Sequence, residues 1–194
     1  MATIGLSDLF YATLTTDSNG YETYGEPKRL AKAIDAELTI DLAEAILYAD
    51  DGAAVSLKDF KNGTLTINMD DLPPDAVSNL TGASIDDNGV LISTSEDGGA
   101  DVAIAFKARR PDNTYRFFWF YRVRFGVPPV SMQTKGDSIT FNTPKIVGTV
   151  MRRNKPDSRG TRPWKAEVVE GGVGVSSSTI TSWFETVYEP EFEY

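Results

Sequence analysis

The chain contains no cysteine and no histidine among its 194 residues. The first absence excludes disulfides, cysteine nucleophiles, thiolate zinc sites and iron–sulfur clusters. The second excludes Ser-His-Asp and Cys-His triads and every histidine-ligated metal centre. Long apolar runs are missing too. The densest, Phe117-Phe118-Trp119-Phe120-Tyr121, falls far short of the roughly 20 residues that a membrane helix needs. The opening Met1-Ala2-Thr3-Ile4-Gly5-Leu6 has neither the basic nor the apolar region of a secretion signal. No phosphate-cradling loop is present, since Gly171-Gly172-Val173-Gly174 lacks both the spacing and a Lys-Ser/Thr end. The expectation is a soluble, non-enzymatic protein with no cofactor, no metal and no membrane contact.

Base is scarce in one half of the chain. The net charge is −9, but residues 1–100 carry −13 and residues 101–194 carry +4. Within Lys107–Lys165 the net is +11. Such asymmetry fits a solubilising surface, a nucleic-acid surface, or an acidic and a basic face that meet in an assembly. The acidic total argues against duplex binding.

What the sequence does have is the punctuation of a β protein. Sixteen glycines and ten prolines separate short runs of Val, Ile, Thr, Tyr and Phe. Strands are expected at Leu9–Thr15, Leu30–Ile40, Glu44–Asp50, Ala53–Phe60 and Thr64–Met69, with Asp50-Asp51-Gly52 and Asn62-Gly63 as hairpin turns. Pro73 and Pro74 open a short helix with Val77 and Leu80 as its stripe, and Gly82 ends it. Further strands are expected at Val90–Thr94, Val102–Ala108, Ser138–Arg152 and Trp164–Val169. A C-terminal helix over about 177–188 follows from Ile180, Trp183, Phe184, Val187 and Tyr188 at helical spacing behind a Ser/Thr cap. The length suits one domain, residues 1–194, able to bury roughly 70% of its unfolded surface.

The segment Tyr115–Phe125 carries the densest information. Tyr115, Phe117, Trp119, Tyr121, Val123 and Phe125 are expected to form one unbroken apolar face of a strand. The other face then reads Arg116, Phe118, Phe120, Arg122, Arg124. It is too apolar for solvent and too charged for a core, the composition of a surface that meets a partner. As a stacking platform for single-stranded nucleic acid it lacks a basic total. The doublets Asp50-Asp51, Asp70-Asp71 and Asp86-Asp87 could suggest paired catalytic or metal-binding carboxylates. Adjacent strand residues point to opposite faces, however, and each doublet sits beside Gly, Asn or Pro, where Asp caps turns.

These residues, in their order, resemble the major tail proteins of long-tailed bacteriophages, the subunits of the tail tube. The resemblance runs through Ile4-Gly5-Leu6-Ser7-Asp8-Leu9-Phe10-Tyr11-Ala12, Leu47-Tyr48-Ala49-Asp50-Asp51-Gly52, Asp71-Leu72-Pro73 and Asp87-Asn88-Gly89-Val90-Leu91. It continues through Tyr115-Arg116 with Trp119, Thr134-Lys135-Gly136-Asp137, Phe141-Asn142-Thr143-Pro144, Trp164-Lys165-Ala166 and Trp183-Phe184. It implies a mainly β fold: a two-sheet sandwich or barrel-like tail tube domain flanked by a short helix, with a C-terminal helix and no immunoglobulin-like extension. It implies hexameric rings of this chain stacked into a hollow conduit for the genome, in the tail of the virion after assembly in the host cytoplasm. Its partners would be further copies of itself, the tape measure, tail terminator and distal tail proteins, and DNA passing through an acidic lumen without specific binding. An inter-ring hairpin is expected at about 44–60. The expected subunit interface comprises Tyr48, Asp50, Asp51, Arg116, Phe118, Phe120, Arg122 and Arg124. The alternative is a non-enzymatic β-sandwich module binding carbohydrate or peptide, with Trp119 or Trp164 stacking on ligand. A carboxylate-based hydrolase ranks third.

Overall fold

The structure, a computed structural model, describes residues 2–49, 52–132, 134 and 141–192. It is mainly β, with one large antiparallel sheet and two helices. The strands are β1 (Leu6–Thr16), β2 (Glu22–Tyr24), β3 (Lys28–Ala31), β4 (Ala33–Ala49), β5 (Gly52–Met69), β6 (Ser84–Ile85), β7 (Leu91–Ile92), β8 (Asp101–Arg109), β9 (Tyr115–Phe125), β10 (Lys145–Met151) and β11 (Lys165–Val169). The helices are α1 (Pro74–Thr81) and α2 (Ser177–Thr181).

Hydrogen bonding runs β2-β1-β8-β9-β10-β5-β4, with β3 on β1 and β11 on β9. Only Lys32 separates β3 from β4. That short ribbon therefore pairs with β1 through Leu9↔Ala31 and with β5 through Ala33↔Met69, joining the two ends of the path. The result is a barrel-like wall. Leu9, Leu30, Leu65, Ile67, Met69, Ile104, Phe120, Ile146 and Val150 fill it, all nearly inaccessible. α1 plugs it with Ala76 and Leu80 rather than Val77 and Leu80. Its stop is as expected: Gly82 is left-handed at φ +79°, and its N–H reaches the Ser78 carbonyl at 2.8 Å.

Two bulges reset the alternation that the sequence suggests. Asp41 pairs with Asn62 and Leu42 with Phe60, so Lys61 is the extra residue. Asn62-Gly63 is thus part of a continuous β5 and not a turn. An added Cβ at Gly63 would lie 3.1 Å from the Thr39 carbonyl, so glycine here serves close backbone approach. On β9, Val102 pairs with Val123 but Ile104 pairs with Phe120. Two residues, Tyr121 and Arg122, therefore oppose Ala103, and the side-chain phase flips. Phe117, Trp119 and Tyr121 pack outward, whereas Phe120, Val123 and Phe125 pack inside the barrel. The single unbroken apolar face expected for Tyr115–Phe125 is split between two cores.

The outer core lies beneath the C-terminal segment. Trp183 and Val187 are buried against Ala12, Ala103, Ala105, Phe117 and Trp119, and Phe10 stacks on Phe184 at 4.9 Å. The residues chosen by helical spacing do pack there, but α2 ends at Thr181 and does not reach 188. The Thr181 and Ser182 hydroxyls bond back to the Ser177 and Ser178 carbonyls, both at 2.9 Å. Such back-bonding weakens helices. The next backbone bonds span three residues instead of four, Trp183 N–H to Ile180 at 3.4 Å and Glu185 N–H to Ser182 at 3.0 Å. That turn aims Trp183 at the sheet.

Candidate assembly surfaces

β4 and β5 form the longest feature. β10 pairs with β5 only from Asn68 to Gly63. From Asn62 back to Gly52, β5 has β4 alone as a neighbour among the described residues. The pair therefore leaves the barrel as a two-stranded arm, about 35 Å long at roughly 3.3 Å per residue. Leu42 and Leu57 are exposed on it at 49% and 63%. Lys58 and Glu44, both exposed, bridge its strands at 2.7 Å, a pair of little stabilising weight. The expected 44–60 hairpin falls within this arm. Tyr48 lies on β4 opposite Ala53, whereas Asp50 and Asp51 lie outside the described residues.

One face of the sheet at the arm's root is uncovered and polar. Asp35, Glu37 and Thr39 on β4 pair with Asn68, Thr66 and Thr64 on β5. Those in turn meet Lys145, Val147 and Thr149 on β10. The Asn68 amide donates to both carboxylate oxygens of Asp35, at 2.8 and 2.9 Å. Asp41 and Asp59 extend the same acidic face along the arm, where alternation places them.

The mixed face of β9 resolves differently from expectation. Phe120 is 2% exposed inside the barrel, and Phe118 packs partly against the same core. Phe120 therefore offers almost no surface of its own to a neighbouring subunit. Arg116 lies 3.3 Å from Glu167. Arg122 and Arg124 both bind Asp101, each through Nε at 2.9 and 2.8 Å. The β9 bulge has separated these two arginines from the Phe118–Phe120 face. Elsewhere Lys107 pairs with Asp8 at 2.6 Å and Lys165 with Glu167 at 2.7 Å. Much of the +11 segment is therefore neutralised within the chain, so the uneven charge of the sequence does not become one basic face.

A buried polar cluster holds the second core shut. Arg153 is 1% exposed, with its guanidinium 4.7 Å from the Tyr121 ring centre. Its Nη1 donates to Glu189 at 2.7 Å, and the Lys155 ammonium reaches the other carboxylate oxygen at 2.9 Å. Glu22, fully buried, accepts the N–H groups of Asn154 and Lys155 at 2.7 and 2.9 Å. Burial pushes the phenols of Tyr24 and Tyr121 well above their ordinary range. Nothing in composition or spacing singled out Arg153, because a buried arginine has no sequence signature. Asp157 shapes the adjoining loop. The Thr161 hydroxyl, the Thr161 N–H and the Arg159 guanidinium and N–H all bond its carboxylate and hold it down at about 2.

The described carboxylate doublets serve the backbone. Asp70 accepts the Lys32 N–H at 2.9 Å, Asp71 that of Leu72 at 2.8 Å, and Asp86 those of Asn88 and Val90. Among the described residues, no group of three or more carboxylates has metal-binding geometry. No helix among them is long and apolar enough to cross a membrane. The two tryptophans weighed as ligand platforms are engaged: Trp119 is fully buried, and Trp164 stacks on Phe60 at 4.4 Å. No protein-family model matches the chain, and no curated protein matches it.

Proposed function

We propose that this chain is the structural subunit of a phage tail tube, polymerising as stacked hexameric rings into a hollow conduit for DNA. The observation that carries the proposal is the β4–β5 arm. A two-stranded ribbon without a third strand is marginal in water, and this one exposes Leu42 and Leu57. Among its described side chains, none beyond Phe60 joins the barrel core. Such an element gains stability when it lies against another copy. Its unpaired edges also offer backbone donors and acceptors to a neighbouring strand. The uncovered acidic face with Asp35, Glu37, Asp41 and Asp59 suits a lumen wall, since it repels DNA phosphates and lets the genome slide. The tape measure, terminator and distal tail proteins are the further partners of this reading. Negative-stain microscopy of the purified chain at rising concentration tests it. Rings or tubes are expected. A monomer that never polymerises, even with a tail initiator complex added, refutes it.

A further inference from the structure

The β4–β5 arm meets the barrel at Phe60, where two residues from one excursion of the chain hold it. β10 ends at Met151 and β11 begins at Lys165. The excursion between them closes at its neck, where the Arg153 N–H donates to the Pro163 carbonyl at 3.2 Å. Its end residues, Arg152 and Trp164, both reach Phe60. The Trp164 and Phe60 rings stack at 4.4 Å, within 4° of parallel. The Arg152 guanidinium donates through Nη2 to the Phe60 carbonyl and lies 5.9 Å from the centre of the Phe60 ring.

The anchor is firm on the barrel side. The Trp164 carbonyl accepts the Tyr121 N–H at 3.1 Å, at the β9 bulge, and the Trp164 ring lies 6.4 Å from Phe120 of the inner core. On the arm side Phe60 falls where support ends. β10 last pairs with β5 at Gly63, and Lys61 is bulged out of register. A bulge bends its strand, and a two-stranded ribbon is only marginally stable. The Arg152 side chain gives the Phe60 carbonyl a donor on a stretch that has lost its third strand.

Leverage makes this point matter. On an arm about 35 Å long, a swing of about 15° at the root carries the tip about 9 Å, nearly two strand spacings. We propose that Arg152 and Trp164 form a root clamp on Phe60 that fixes the direction of the arm and thereby lowers the concentration at which copies assemble. An arm already aimed loses less freedom when it docks. Arg152 is the adjustable half, because it is exposed while Trp164 packs against the inner core. The inference deepens the tail-tube reading and rests on it for the assembly step alone.

The absence of native cysteine makes the test clean. Spin labels are placed at Leu57→Cys on the arm and Val147→Cys on β10, both exposed positions. Double electron–electron resonance then reads the arm-to-barrel distance, in dilute full-length protein mixed with an excess of unlabelled chain. Arg152→Met keeps an apolar stem over Phe60 and removes the donor; Arg152→Lys restores a charged donor. The expected result is one narrow distance distribution with Arg152, about doubled in width with Met and narrowed again with Lys, at an unchanged melting temperature. In unlabelled protein, Arg152→Met should raise the assembly concentration about tenfold, the effect of losing one charge-assisted hydrogen bond. Equal widths for Arg152 and Met overturn the clamp. A melting temperature that falls with Met makes Arg152 a general structural residue and also overturns it. A broadened arm with unchanged assembly overturns the link to assembly. If the unsubstituted chain never polymerises, the tube reading falls, and the distance distributions still decide the clamp.

Discussion

The indole N–H of Trp119, in the middle of β9, donates to the backbone carbonyl of Trp183 at 2.9 Å. This bond fastens the C-terminal segment to the sheet, and the Trp183 ring fills the space above Phe117 at 6.1 Å. Trp183→Ala should cost about 3–5 kcal/mol, the range for deleting a buried aromatic ring. Chemical denaturation measures it, and a cost near zero would mean that the segment is not a structural part of the outer core.

The Arg153–Glu189 pair gives a second expectation. Glu189→Gln leaves a buried guanidinium facing a neutral amide, at a cost of about 1–3 kcal/mol. Partial exposure of Glu189 places the effect toward the low end. Replacing both residues, as Arg153→Met with Glu189→Gln, removes the buried charge and should recover part of the loss. A double-mutant cycle by thermal melting reads the coupling.

Gly148 offers a steric test. An added Cβ would stand 2.7 Å from a Phe125 ring carbon and 2.8 Å from Val123 Cγ1. Gly148→Ala should therefore destabilise by about 1–3 kcal/mol through overpacking. Restoring space with Phe125→Leu in the same chain should return some of it. An unchanged melting temperature for Gly148→Ala alone would contradict the close packing of β9 on β10.

Acid should loosen the loop around Asp157. Its folded carboxyl sits at about 2, below the ordinary 3.8. The ionised form is thus favoured in the folded chain. The stability it contributes is present above 3.8 and is lost as pH falls toward 2. Asp157→Asn should melt below wild type at neutral pH, with the gap closing across that window. A gap that is constant with pH would show that the carboxylate charge is irrelevant.

The parts legible in the sequence were those governed by local rules. Gly82 ended α1 where a left-handed cap was expected. The doublets Asp70-Asp71 and Asp86-Asp87 became turn and backbone acceptors. What escaped was non-local. The β9 bulge at Tyr121 and Arg122 arises from pairing with β8, and no composition rule places it. It moved Val123 and Phe125 into the barrel and turned Arg122 toward Asp101, so the expected mixed interface face dissolved. Lys61 did the same to the Asn62-Gly63 signal. The helical spacing of Ile180 to Tyr188 correctly chose the residues that face the sheet. It overstated the helix, because the hydroxyls of Thr181 and Ser182 compete for its last carbonyls.

The arm carries the central claim, and its removal tests that claim most directly. Replacing Ala43–Asp59 by an Asn-Gly turn keeps the Phe60–Trp164 stack and the barrel core. Microscopy and melting of this variant beside wild type give the answer. The account predicts rings or tubes for wild type, and for the variant a folded monomer with a nearly unchanged melting temperature. Tubes built equally well without the arm would contradict it.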